Sequence, residues 1–287
     1  MVFESIINPE KAERHPGEMF LLGILYSSIG LLLALWIFHD QASLVMVFLT
    51  VMACVPLLHS TLSYEEEIDK KYDSEGRILR HHWKALFFMM MLFCGFVVGL
   101  TFWYVVLPPD IMQPAFTIQI QTLRAINGPT GNVFSVSTFL RIVMNNIVVL
   151  LFCFFFSFFY GAGAIFILVW NASVIAAAAG AIIRGGISKL TGGLGAAATS
   201  TMYLVFCSVV RFLPHGFLEI LAYFVAGLAG GIISVAVINH DFASSRFNNV
   251  IMDSVMLFGL ALIILILAAF VEVAVTPFLF KLICPGI

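Results

Sequence analysis

Six polar side chains sit in or beside long apolar runs: Asn145, Asn146, Asn171, His215, Glu219 and Glu272. Their types allow three kinds of chemistry. Asparagine amides can bond one helix to another, an interaction of about 0.6–2 kcal/mol between membrane helices. A carboxyl beside an imidazole can take up and pass protons, because His titrates near neutrality. His215 and Glu219, four residues apart and so on one helical face, could begin a metal site with Glu272 as a third ligand. A structural zinc needs four ligands, however, and a catalytic one three. A charge at the centre of a bilayer costs about 2.5–3.5 kcal/mol on insertion scales. Such side chains therefore face a protein interior, a water-filled cavity or a partner.

The densest signal is Arg211-Phe-Leu-Pro214-His215-Gly216-Phe-Leu-Glu219. Pro214 suits the first turn of a helix, and a carboxylate in that turn favours the helix dipole. The simplest reading is a hydrogen-bonded His215–Glu219 pair capping the helix. Glu272, near the end of the last apolar run, could pair with Arg211 or His215. No HExxH, GxSxG or protease-type aspartate pair occurs in the sequence, so no enzyme, cofactor or metal is expected.

The elements that must position these groups are membrane spans. Of 287 residues, 61% are hydrophobic and 10% charged, against about 25% charged in soluble domains. The mean hydropathy is +1.06. Net charge is -2, without a long basic tract, so nucleic acid is not an expected partner. The five cysteines are scattered, with no CxxC, and read as small packing residues rather than disulfides or ligands. The acidic first residues exclude a cleavable signal peptide, so the first span reads as an uncleaved anchor.

About 20 apolar residues cross a bilayer core of ~30 Å. Spans are expected at 19–38, 42–58 and 85–107, the last stopped by Pro108-Pro109. Residues 142–183 carry no formal charge over 42 positions. At ~1.5 Å per residue they must form two helices, turning near Gly161 and Gly163. Further spans are expected at 192–210, 217–238 and 254–275. The fold expected is an all-α polytopic bundle of about eight spans, of which the sixth could instead be re-entrant. Gly95 with Gly99, Ala176 with Gly180, and Gly227 with Gly231 have the small-xxx-small spacing of close helix contacts.

Basic residues orient the chain. Lys11 and Arg14, then Lys70, Lys71, Arg77, Arg80 and Lys84, place the N-terminus and a helical hairpin at 59–84 in the cytoplasm. Eight spans would return the C-terminus there. Residues 116–126 could form an interfacial helix, with Gln119, Gln121 and Arg124 as its polar side. Two modules are expected: three helices with the hairpin in 1–107, and five helices in 108–287.

Asn145-Asn146, Gly161-x-Gly163, Asn171, Pro214-His215-Gly216-x-x-Glu219 with Ala226-Gly227, and Glu272-x-x-x-Thr276-Pro277 together resemble the stage II sporulation protein M family, in order and spacing, over about residues 135–280. Asn171-Ala172 stands where that family often has Asn-Gly. Residues 1–107 look like the extension carried by archaeal members. The resemblance implies an integral membrane scaffold; the namesake anchors a cell-wall-remodelling complex, a role not carried over here. The expected function is thus a non-enzymatic scaffold, or a membrane-remodelling or assembly protein, of the plasma membrane. Its expected partners are the lipid bilayer, further copies of itself and an unidentified membrane or cytoplasmic protein. The alternative is a transporter or channel for ions, lipids or small metabolites built on His215, Glu219 and Glu272.

Overall fold

The computed structural model describes residues 15–71, 75–126, 136–160, 164–187, 194–238 and 245–284. All of its regular elements are helices: α1 (Pro16–Ile37), α2 (Ala42–Lys71), α3 (Glu75–Val106), α4 (Pro109–Ile126), α5 (Val136–Tyr160), α6 (Ala164–Ile187), α7 (Leu194–Ile238), α8 (Ser245–Phe270) and α9 (Thr276–Ile283). A 3₁₀ turn, His39–Gln41, joins α1 to α2, and a π turn, Val271–Val275, joins α8 to α9. Among the described residues seven helical stretches are long and apolar enough to cross a membrane. The all-α bundle is as expected. Seven stretches appear where the apolar pattern gave about eight, because the expected spans 192–210 and 217–238 are one continuous helix, α7.

α7 runs through Pro214 without a break. A proline inside a helix removes its own N–H bond to the carbonyl four residues back and crowds that carbonyl with its ring, yet here the helix continues. Pro214 therefore lies inside α7 rather than in its first turn. The apolar stretch Thr201–Ile238 spans 38 residues, about 57 Å of helix. That is close to twice the hydrocarbon core, longer than a single crossing requires. Gly186, in the last turn of α6, lies against Leu204. The C-terminal half of α7 is the axis of the bundle: Ile220 to Gly231 is buried without interruption.

Close backbone approach builds the first half. Gly23 of α1 and Gly95 of α3 face one another, and a Cβ on either would collide with a backbone carbonyl of the other helix, Leu92 or Phe20. One turn on, a Cβ on Gly99 would come 2.7 Å from Ser27 Oγ. Trp103 Nε1 donates to Ser28 Oγ at 2.9 Å across the same contact. The small-residue spacing at 95 and 99 thus serves packing within one chain. So does Gly180, which lies against the Tyr104 ring, and Gly227, where a Cβ would meet Ala164 Cβ at 3.0 Å.

Two polar contacts join the halves. Arg184 of α6 donates through Nη1 to the carbonyls of Tyr104, at 3.1 Å, and Leu107, at 2.8 Å. These belong to the end of α3, where carbonyls lack partners within the helix. α4 kinks at Phe116, two residues after Pro114. Gln119 is fully buried and donates to Ser43 O at 3.0 Å and Ser173 Oγ at 3.1 Å. That corrects the expectation that Gln119 belongs to a polar outer face: α4 turns it inward to tie α2 to α6.

One cysteine expectation is also overturned. Cys207 of α7 and Cys284, just after α9, form a disulfide, with Cα atoms 5.9 Å apart. Cys54, Cys94 and Cys153 are free, and none is exposed. Gly161 and Gly163 lie outside the described residues.

Two outcomes follow. Gly95→Val should destabilise the fold by about 2 kcal/mol or more, as overpacking does. Gly259→Ala, with open space at its Cβ, should stay within about 0.5 kcal/mol of wild type. Thermal unfolding in mild detergent measures both. In denatured, unreduced protein three cysteines should react with a thiol reagent, and all five after reduction.

Candidate functional site

The seam between α7 and the α8–α9 segment is an antiparallel ladder stepping four residues at a time on each side. At its outer rung Cys207 is bonded to Cys284. Next, the Arg211 guanidinium lies over the Phe280 ring, 5.1 Å from its centroid. Then His215 Nδ1 meets Thr276 Oγ1 at 3.1 Å. Last, the carboxyls of Glu219 and Glu272 lie side by side. A four-residue step keeps side chains on one helical face, so one stripe of α7 supplies every rung.

α5 completes the inner rung. Asn146, largely buried, donates through Nδ2 to Glu219 Oε1 at 2.5 Å. Glu219 thus joins α5, α7 and the π turn that carries Glu272. That turn has a local cause. Thr276 N–H bonds to Val271 O, five residues back, and Pro277 has no N–H to offer the carbonyl of Val273. One widened turn absorbs the missing bond and sets the direction of Glu272. Such π turns recur at functional positions in helices.

The rungs correct two pairings expected from the sequence. His215 bonds Thr276, not Glu219. Glu272 faces Glu219, not His215 or Arg211. An ionised carboxylate only accepts hydrogen bonds, so these two carboxyls can bond each other only when one of them carries a proton. Glu219, Glu272 and His215 are half-buried rather than sealed. Gly216 opens the seam on one side, since nothing lies within 4 Å of where its Cβ would be. The arrangement cross-links helices through Asn146–Glu219 and His215–Thr276, and it sets two carboxyls together beside the opening at Gly216. Among the described residues no group of three His, Cys, Asp or Glu side chains is placed to hold a metal.

The remaining expected residues fall elsewhere. Asn145 points outward, its amide nitrogen 3.4 Å from Asn146 Oδ1. Asn171 donates to Ile167 O, one turn back in its own helix, at 2.7 Å. Gly231 is buried in α7. Sequence reasoning missed Thr276 as the partner of His215, and the disulfide above them. The i,i+4 recurrence of 207, 211, 215 and 219 opposite 272, 276, 280 and 284 is the signal that could have found both.

The model of the stage II sporulation protein M family matches residues 42–277. The match starts well before residue 107 and so takes in α2 and α3 as well as the helices of the polar seam. No curated protein and no solved structure matches the chain.

Glu219→Ala leaves the Asn146 amide and the Glu272 carboxyl without their partner, and should cost about 1–3 kcal/mol. Glu219→Gln keeps a donor and an acceptor in place and should cost less than half of that. Comparing the two thermal midpoints in detergent checks this; equal losses would show that the bonds themselves contribute little.

Proposed function

The chain belongs to the stage II sporulation protein M family, and from that premise we propose that it is a non-enzymatic scaffold or assembly protein of the plasma membrane. One observation carries the reading: the most costly of the intramembrane polar groups, Asn146, Glu219 and His215, bond to side chains on other elements. Asn146, Glu219 and Glu272 link α5, α7 and the turn after α8, while Gln119 and Arg184 tie the two halves together. Polar bonds placed this way hold a shape. As a scaffold it would act on further copies of itself and on a membrane or cytoplasmic protein docked at the 59–84 hairpin. The engulfment role of the family's namesake forms no part of this proposal.

The basic residues of the hairpin favour a cytoplasmic N-terminus. Seven crossings then put the C-terminus on the opposite side, replacing the cytoplasmic C-terminus expected from eight. The Cys207–Cys284 disulfide beside that terminus suits an oxidising, extracytoplasmic compartment.

A second reading rests on the Glu219–Glu272 pair itself. Two facing carboxyls in a half-open seam are also what a proton-coupled transporter would use. Liposomes reconstituted with the purified protein separate the two. The scaffold reading expects no proton or ion flux above that of empty vesicles. Flux present in wild type and lost in a correctly folded His215→Ala/Glu219→Ala double variant would overturn it. Reporters fused in the hairpin and after residue 287 should give cytoplasmic and extracytoplasmic signals respectively.

A further inference from the structure

We propose that the outward face of α5 is the seam of a parallel homodimer, centred on a hydrogen bond between Asn145 and Asn145 of a second copy. This rests on the self-assembly part of the reading above and names the surface involved.

α5 is the least buried of the seven membrane-length helices. Its exposed face carries Arg141, Asn145, Val148, Phe152, Phe155 and Phe159 along its centre. Their spacing alternates four and three residues throughout. That is the spacing by which two helices meet along a shared stripe, and one asparagine within such a stripe sets register and oligomer number. Asn145 lies about two and a half turns into α5, and a lone amide in hydrocarbon lacks the partners that water would give it. Its nitrogen has only the long contact to Asn146, and its carbonyl oxygen has no partner among the described residues. Asn146 cannot serve it better, because its own amide is committed to Glu219.

The chemistry of the amide selects the occupant. A primary amide is donor and acceptor at once, so two copies related by a two-fold axis satisfy each other reciprocally. Copies inserted in one orientation bring their α5 helices together in parallel about an axis normal to the membrane. Val148 and the phenylalanines then pack below the amides. Arg141 lies toward the start of α5, and its long side chain can carry its charge away from the seam toward water. The small-residue faces at Gly95, Gly180 and Gly227 cannot serve instead, because neighbouring helices of the same chain already cover them.

The test uses the full-length protein in neutral phospholipid bilayers, with dimer fraction read by energy transfer over a range of protein-to-lipid ratios. Asn145→Leu should weaken dimerisation about 5- to 30-fold, as expected for interhelical amide bonds of ~1–2 kcal/mol. Asn145→Gln should largely restore it. Cysteines placed at Val148 or Phe155 should cross-link between copies under oxidation, and one at Val149 should not. Retention of the Cys207–Cys284 disulfide and of the thermal midpoint in Asn145→Leu shows that the variant folds. A monomeric wild type would overturn self-assembly itself. A dimeric wild type that Asn145→Leu leaves unchanged, with no cross-link at 148 or 155, would overturn this seam alone.

Discussion

Hydrocarbon offers a polar group no hydrogen-bond partner, and everything distinctive in this structure follows from that constraint. The Asn146–Glu219–Glu272 contact is its clearest expression. Each such bond adds little on its own, because separated helices in a membrane also find partners for their polar groups. Breaking one from a single side is different, since the partner left behind has nothing to bond. The contact therefore acts more strongly against wrong arrangements than in favour of the right one. A helix set that separated α5 from α7 would strand an amide, and one that separated α7 from α8 would strand a carboxyl.

The two prolines of the seam show how local sequence decides backbone shape. Pro214 sits within α7, which passes through it as a continuous helix packed against α5, α6 and α8. Pro277 sits near the chain end, where α9 packs chiefly on α7. There the backbone yields into a π turn, and the extra residue turns Glu272 toward Glu219. The same chemical defect is absorbed inside the long continuous α7 and expressed as a widened turn at the junction of α8 and α9. The disulfide at Cys284 then holds the far end of α9 against α7, so the short helix is fixed at both ends.

Much of this was legible in the sequence, for reasons that differ by feature. The all-α class and six of the spans follow from hydropathy alone, because bilayer thickness imposes a length on any crossing helix. The merging of two expected spans into α7 was not legible. A proline preceded by Arg211 and followed by His215 reads as a helix start when the tertiary packing that carries the helix through it is unknown. The polar residues were identifiable as a set because each is costly in hydrocarbon, but their pairing was not. Pairing depends on the antiparallel register of α7 and the segment from Glu272 to Cys284, which shows only when two i,i+4 stripes far apart in the sequence are set side by side. The same register joins Cys207 to Cys284 across 77 residues. Gln119 misled for a related cause: amphipathic spacing identifies a polar side chain, and only packing says whether it faces water or a buried serine.

Asn145 and Asn146 are chemically identical neighbours, and a helix turns about 100° between them. That rotation sends one amide into the chain's own seam and the other out of it. The inward amide needs Glu219 and is satisfied within the fold. The outward amide meets the same constraint, and the fold gives it almost nothing. A protein that required only internal cohesion would have no use for a second asparagine at that depth; leucine would cost less and pack as well against lipid. Its position within an evenly spaced exposed stripe, on the helix least covered by its own chain, is what a surface built to receive another helix requires. The rigid seam behind it supplies the other requirement, since Asn146 and Glu219 fix the rotation of α5 and hence the direction in which Asn145 points.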